Sequence, residues 1–301
     1  TGHMTPDFEK VLKVGIKGIR EEVSCEIENL ELSDPIRSKK AAFLQAAAVA
    51  LDAVCVFAKR YADEALRIAE KETDVFRKAE LIRISEICRK VPFHEACQII
   101  WFVHLLVCFE EGESHAAFAP GRFDQYVYPY YKNSIESGEL TKSDAAELID
   151  CLWVKFNEIG NEIPQTMTLG GTKRDGTIGD NELTILCMDS TERLKVLNPS
   201  LVLRYHDNTP QPMMDRACKL LKTGIGFPQF YNDELMYRSM LYAGVTEEDA
   251  RDSVPGGCVE LSIQGKTNPW VGNFFNLPKC LLLALNNGID PLSEKQIGLQ
   301  T

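Results

Sequence analysis

The chain has 301 residues, 45% hydrophobic and 26% charged, the make-up of a soluble globular protein with one large or two ordinary domains. Its net charge of -11 argues against nucleic acid or an anionic membrane surface as a partner, since both select basic faces, but leaves an anionic small substrate open. No apolar run reads as a membrane span: the longest, Ala41 to Ala58, is interrupted by Gln45 and Asp52.

The first third reads as helix. Asp7 to Glu22 carries Phe8, Val11, Leu12, Val14, Ile16 and Ile19 near helical spacing. Ser38 to Ala69 is alanine-rich and free of glycine and proline, which predicts long packed helices. Thr73 to Arg89 continues the pattern, and Pro92 opens a further helix through Trp101 to Phe109. Glu113 to Tyr131 mixes proline, glycine and aromatic residues and reads as a structured loop.

Thr141-Lys142-Ser143-Asp144 has the form of a helix cap with an acidic residue three positions on. Leu148, Ile149, Leu152, Trp153, Phe156 and Ile159 make the apolar stripe that follows. Strands are expected at Gln165 to Leu169, Ser200 to Tyr205 and Phe227 to Tyr231, with helices at Asn181 to Thr191 and Pro212 to Lys222. Thr246-Glu247-Glu248-Asp249 caps another helix. Strands alternating with helices predict a parallel sheet with right-handed crossovers, so the fold class is α/β, one continuous unit with a helical N-terminal layer.

The ten cysteines stand at positions 25, 55, 88, 97, 108, 151, 187, 218, 258 and 280, too dilute for a disulfide scaffold. None forms a C-x-x-C pair, so no metal site is expected, and a thiol-based metal or redox protein has little support. Most sit in apolar helical patterns as small buried hydrophobes. Cys258 is the exception. It lies in Val254-Pro255-Gly256-Gly257-Cys258-Val259-Glu260-Leu261-Ser262, after a Pro-Gly-Gly turn. Residues i and i+2 of an extended backbone point the same way, which puts the Cys258 thiol and the Glu260 carboxylate on one face. A reactive sulfur beside an acid/base group is the arrangement this spacing offers.

Gly257-Cys258-Val259-Glu260 resembles the active-site loop of the glycyl radical enzymes, the pyruvate formate-lyase family. Further segments resemble that family in its order: Gly2-His3 with Asp7-Phe8-Glu9-Lys10-Val11-Leu12, then Gly121-Arg122-Phe123-Asp124-Gln125-Tyr126 with Tyr128-Pro129-Tyr130. Leu169-Gly170-Gly171 with Asn181-Glu182-Leu183-Thr184, Pro199-Ser200-Leu201 and Arg204-Tyr205-His206 follow. Gly226-Phe227-Pro228-Gln229-Phe230 with Asn232-Asp233-Glu234, Phe275-Asn276-Leu277-Pro278-Lys279 and Leu285-Asn286-Asn287-Gly288 complete the set.

The resemblance implies one partial domain over residues 1–301: a helical layer over residues 1–110, and over residues 111–301 part of a ten-stranded α/β barrel whose middle receives the Cys258 loop. It implies a Cys258 thiyl radical, Glu260 as general base with a pKa raised by burial, and a lyase or dehydratase that breaks a C–O, C–N, C–S or C–C bond. No dissociable cofactor is implied. The radical is stored on a glycine in a C-terminal R-V-x-G-Y-type loop that these residues do not contain, so the chain reads as a piece of a longer protein. A radical-SAM activating enzyme, a homodimer and a cytoplasmic, anaerobic setting belong to the same expectation. Ser114, His115, Arg122, Phe230, Trp270, Asn273 and Phe274 are the candidate substrate contacts. Arg204 and His206 are further candidates for an anion, with scaffold hydrogen bonding the competing reading for His206 and an Arg122–Asp124 ion pair the competing reading for Arg122.

The pyruvate-cleaving branch carries two adjacent cysteines where this chain has Gly257 and Cys258, so formate C-acetyltransferase activity is the less favoured alternative. A catalytically inactive scaffold is another. Members of the other branches split choline, dehydrate diols or hydroxyproline, release sulfite or decarboxylate aryl acetates. Trp270-Val271-Gly272-Asn273-Phe274 is less polar than the matching stretch of several dehydratases, which disfavours glycerol and choline.

Overall fold

The computed structural model describes residues 3–86, 93–111, 118–158, 164–257, 260–267 and 276–299. Where the sequence reads as one continuous unit, the chain divides into two compact ones, Thr1–Pro269 and Trp270–Thr301.

The first unit opens with helix α1, Phe8–Glu28, capped by the Asp7 side chain on Lys10 N and kinked at Gly15. Helix α2, Arg37–Lys71, packs against α1 and against α3, Val75–Glu86. Only Ala48, Ala65 and Ala69 of α2 are buried, and Phe43 and Val49 are exposed. By length and composition alone this helix could cross a membrane, since the breaks at Gln45 and Asp52 leave a long enough apolar window.

Helix α4, Phe93–Glu111, starts the core proper. The stretch expected to be a loop instead holds two short helices, α5 (Phe123–Tyr126) and α6 (Tyr128–Glu136). Their aromatic residues explain the difference. Phe123, Tyr126 and Tyr131 are buried, Phe8 stacks on Tyr126, and each buried ring contributes about 1.5–3 kcal/mol, enough to hold short helices that propensity alone leaves marginal. Helix α7, Lys142–Phe156, begins at the expected capping box of Thr141 and Asp144. Its stripe buries Ile149, Leu152, Trp153 and Phe156, and Trp153 Nε1 donates to Thr191 Oγ1 at 2.8 Å.

Three strands follow, β1 (Thr166–Gly170), β2 (Ser200–Tyr205) and β3 (Gln229–Asn232), all parallel in the order β1-β2-β3. Helices α8 (Glu182–Leu194) and α9 (Gln211–Leu221) make the crossovers. Two parallel bridges widen the sheet on the β1 side: Gly121 beside Met167, and Met4 beside Phe118. Alternation gives the sheet two unlike faces. Met167, Leu169, Leu201 and Leu203 face the helical core. By register, Thr166, Thr168, Ser200, Val202, Arg204 and Tyr231 share the opposite face.

Beyond the sheet come α10 (Asp233–Tyr242), not among the expected helices although Asn232 caps it by accepting from Leu235 N, and α11 (Glu247–Arg251), capped by Thr246 as expected. An antiparallel hairpin then pairs β4 (Ser253–Gly256) with β5 (Glu260–Ile263), with Gly256 opposite Glu260. The second unit, by itself, holds α12 (Leu277–Leu285) and a two-residue hairpin of β6 (Ile289–Asp290) and β7 (Lys295–Gln296), tied together by Lys279 Nζ on Asp290 Oδ1.

Candidate active site

The β4–β5 hairpin carries the Cys258 loop. Cys258 and Val259 lie outside the described residues, as do Ser114, His115, Trp270, Asn273 and Phe274. Gly257 and Glu260, the described residues that flank Cys258 and Val259, each have a defined partner. The carbonyl of Gly257 accepts a hydrogen bond from Thr166 Oγ1 on the polar face of β1, so that face of the sheet meets the hairpin. Glu260 Oε2 lies 2.9 Å from His3 Nδ1, with the side chains 28% and 15% exposed. The imidazole also rests against Gly257, whose φ is +54°. A Cβ built there stands 2.0 Å from His3 Nδ1, so steric room and backbone conformation both demand glycine.

Residues 3–5 therefore belong to the site. Thr5 Oγ1 is 3.2 Å from Ser262 Oγ, Gly265 N donates to Thr5 O at 2.8 Å, and Ala119 N donates to Met4 O at 2.8 Å. This short segment stitches the hairpin to the sheet. In the sequence His3 sits in a segment similar to the family's and carries no role of its own. The signal available was its position beside a glycine, which by itself points to no partner.

On the polar face of the sheet, Tyr231 is half-buried. Burial, and then the charge of Glu260, push its phenol above the ordinary range, which places it in the electrostatic reach of that carboxylate. Thr168 Oγ1 is buried on the same face with no hydrogen-bond partner among the described residues.

Four expectations are corrected. Phe230 shares its register face with Leu203, packs on the helical core and meets the Tyr205 ring edge-on at 6.2 Å, so it points away from the hairpin. Arg122 is 1% exposed and aims its guanidinium at carbonyls rather than at open space: Nη1 donates to Thr172 O at 2.7 Å and Nη2 to Gly170 O at 2.8 Å. It forms no ion pair with Asp124, whose carboxylate accepts from Gly170 N and Thr184 Oγ1; the nearest acid is Asp252, at 3.5 Å. Arg204 is fully buried against Asp233, so neither arginine offers an anion site.

His206 is part of the scaffold, with Nδ1 accepting from Asn208 N at 3.2 Å and Nε2 3.4 Å from Asp180. The Asp180 side chain is 1% exposed and neither oxygen has a hydrogen-bond partner among the described residues. Burial pushes its pKa up to about 6 against the pull of His206. Between pH 4 and 6 the folded protein thus keeps a proton that the unfolded chain releases, and stability falls as pH rises through that window. Asp180→Asn should flatten this slope, read as melting temperature against pH. An unchanged slope would refute the assignment.

A surface depression of about 680 Å³ between the end of α1 and the start of α2, lined by Leu30, Asp34 and Phe43 among others, shares no residue with this site.

A family profile described as "Pyruvate formate lyase-like" matches residues 1–301. Trans-4-hydroxy-L-proline dehydratase of Clostridioides difficile is 37% identical over 314 aligned residues, covering 97% of this chain and 40% of the relative. Isethionate sulfite-lyase of Desulfovibrio desulfuricans is 33% identical, with 98% and 38% covered. Among solved structures, the glycerol-bound B12-independent glycerol dehydratase of Clostridium butyricum superposes with a TM-score of 0.90 at 37% identity, over 100% of this chain and 40% of that one. The chain thus spans about 40% of the length of the relatives it matches.

Proposed function

From the premise that this chain belongs to the pyruvate formate lyase-like family, with the α/β barrel fold of its structural neighbours, we propose that it is the part of a glycyl radical lyase or dehydratase that carries the thiol and the proton-handling groups. The observation that carries the reading is the Glu260–His3 pair, packed against the residue next to Cys258.

The glycyl radical, on a loop outside these residues, would supply the unpaired electron by taking the hydrogen atom of the Cys258 thiol, an S–H bond breaking as a C–H bond forms at that glycine. Cys258, as a thiyl, takes a hydrogen atom from a substrate carbon: an S–H bond forms and a C–H bond breaks. Glu260 accepts a proton beside the radical carbon, which drives loss of the neighbouring leaving group, and the product radical then takes the hydrogen atom back from the Cys258 S–H, restoring the thiyl. His3 Nδ1, in hydrogen-bond reach of Glu260 Oε2, can relay that proton. The closed barrel of the full-length protein would exclude water from the radical.

Steric room at position 257 disfavours acetyl transfer from pyruvate. A second cysteine there would drive its Cβ into the His3 ring and carry a positive φ. A small-molecule substrate, a radical-SAM activating enzyme, a homodimer and a cytoplasmic setting complete the proposal, and all belong to the full-length protein.

The test is anaerobic activation of the full-length protein, followed by incubation with trans-4-hydroxy-L-proline, isethionate, glycerol, propane-1,2-diol and pyruvate with coenzyme A. Dehydration or sulfite release from one of the first four is expected. Acetyl transfer from pyruvate, or turnover without activation, would overturn the reading.

A further inference from the structure

We propose that Arg122 and Arg204 are positioning residues that clamp the root of the thiol hairpin and so fix its reach into the site. One carbonyl is shared between them. Arg204 Nη1 donates to Arg251 O at 2.8 Å, and Arg122 Nη1 donates to the same oxygen at 3.1 Å. Arg204 Nη1 also reaches Ser253 O at 2.8 Å, the first residue of β4. Arg251 ends α11, and β4 begins two residues later, so the clamp grips the chain where it enters the hairpin.

The far side of the clamp is the sheet. Arg204 itself lies in β2, and Arg122 holds the carbonyls of Gly170 in β1 and of Thr172 just after it. Asp233, the first residue of α10, accepts from Arg204 Nε at 2.6 Å and from Thr172 Oγ1 at 2.8 Å. Arg122 N completes the frame by donating to Gln264 Oε1, just past β5, at 2.8 Å.

Two like charges buried beside one oxygen are a costly way to tie a loop down. Burial and the Arg122 charge pull the Arg204 guanidinium down to about 10, despite Asp233. What this arrangement provides, and a neutral hydrogen bond does not, is a rigid planar fork whose donors fix the carbonyl's position in several directions. A thiol that must meet one carbon atom needs its supporting strand fixed in that way.

The clamp rests on the reading of Cys258 as the reacting group, but its test does not. In the full-length protein, Arg204→Lys and Arg122→Lys keep the charge and lose the fork. Each should raise the rate of Cys258 alkylation by iodoacetamide about tenfold, the loss of roughly one charge-assisted hydrogen bond. Amide exchange over residues 253–263 should quicken in step, while alkylation of the buried core thiol Cys187 stays at its wild-type rate. With substrate, kcat should fall about tenfold at an unchanged KM, since the fork touches no substrate.

Asp233→Asn, which is isosteric and leaves both arginines in place, must give the same selective change in smaller measure, and it covers the case in which a lysine variant does not fold. Equal changes at Cys258 and Cys187, or no change at either, would overturn the clamp. If the clamp fails while turnover still requires Cys258, the functional reading stands. If turnover survives loss of Cys258, that reading falls while the alkylation result still judges the clamp.

Discussion

Cys258→Ala in the full-length, activated protein should lower turnover by about 10⁴-fold or more, with folding and glycyl radical formation intact. The size follows from the role. An unactivated C–H bond has no other group at the hairpin able to take its hydrogen atom, so losing the sulfur removes the first bond-breaking step rather than weakening it. Cys258→Ser should be equally inactive, because an O–H bond is too strong for the hydroxyl to be oxidised by a backbone glycyl radical. The checks are product formation under anaerobic conditions, the paramagnetic signal of the glycyl radical and the melting temperature, on one preparation. Turnover in the alanine variant at more than a few per cent of wild type would exclude the thiyl route.

Glu260→Gln should cost about 10²–10⁴-fold in kcat, the usual worth of a positioned general base. Glutamine is isosteric and can still meet His3 Nδ1 across the 2.9 Å that separates the ring from the carboxylate, so the hairpin and its packing on Gly257 should persist. What it cannot do is accept a proton. The acid limb of the pH–rate profile should therefore disappear, while the glycyl radical and the substrate affinity remain. A variant with a normal profile and a normal rate would move the proton role to another residue. Loss of the radical together with the rate would point to a structural defect.

The sequence carried a good deal of this fold, and the reasons differ from element to element. Helix caps are local: Thr141 and Asp144, Asn181 and Thr184, and Thr246 with Asp249 each sit three residues apart, and each forms its hydrogen bond in the structure. Strands β1 to β3 were legible because short apolar runs between helical patterns imply parallel pairing, and their register is parallel throughout.

Helices α5 and α6 were not legible. Their aromatic residues face partners distant in sequence, Phe8 onto Tyr126 and Phe93 onto Tyr131, and no local pattern records that. The same limit governs the site. Glu260 was found through its spacing from a cysteine, a local feature. His3 lies 257 positions away, and only the fold brings its ring to that carboxylate. Phe230 and Tyr231 show the sharpest case. Neighbours in sequence, they stand on opposite faces of β3, and the pairing of β3 with β2 decides which of them faces the hairpin. Arg122 and Arg204 look alike in sequence to residues awaiting an anion. Only the carbonyl of Arg251 between them shows what they hold.

The most direct test follows the hydrogen atom itself. Whichever compound the activated full-length protein turns over is supplied as an equal mixture of its ordinary form and one deuterated at the carbon adjacent to the one that bears the leaving group, and the two compete in one vessel. A thiyl radical breaking that C–H bond predicts that the ordinary form is consumed faster, as a primary isotope effect on kcat/KM, only after activation. Equal consumption of the two forms, or the same discrimination without the activating enzyme, would contradict the account.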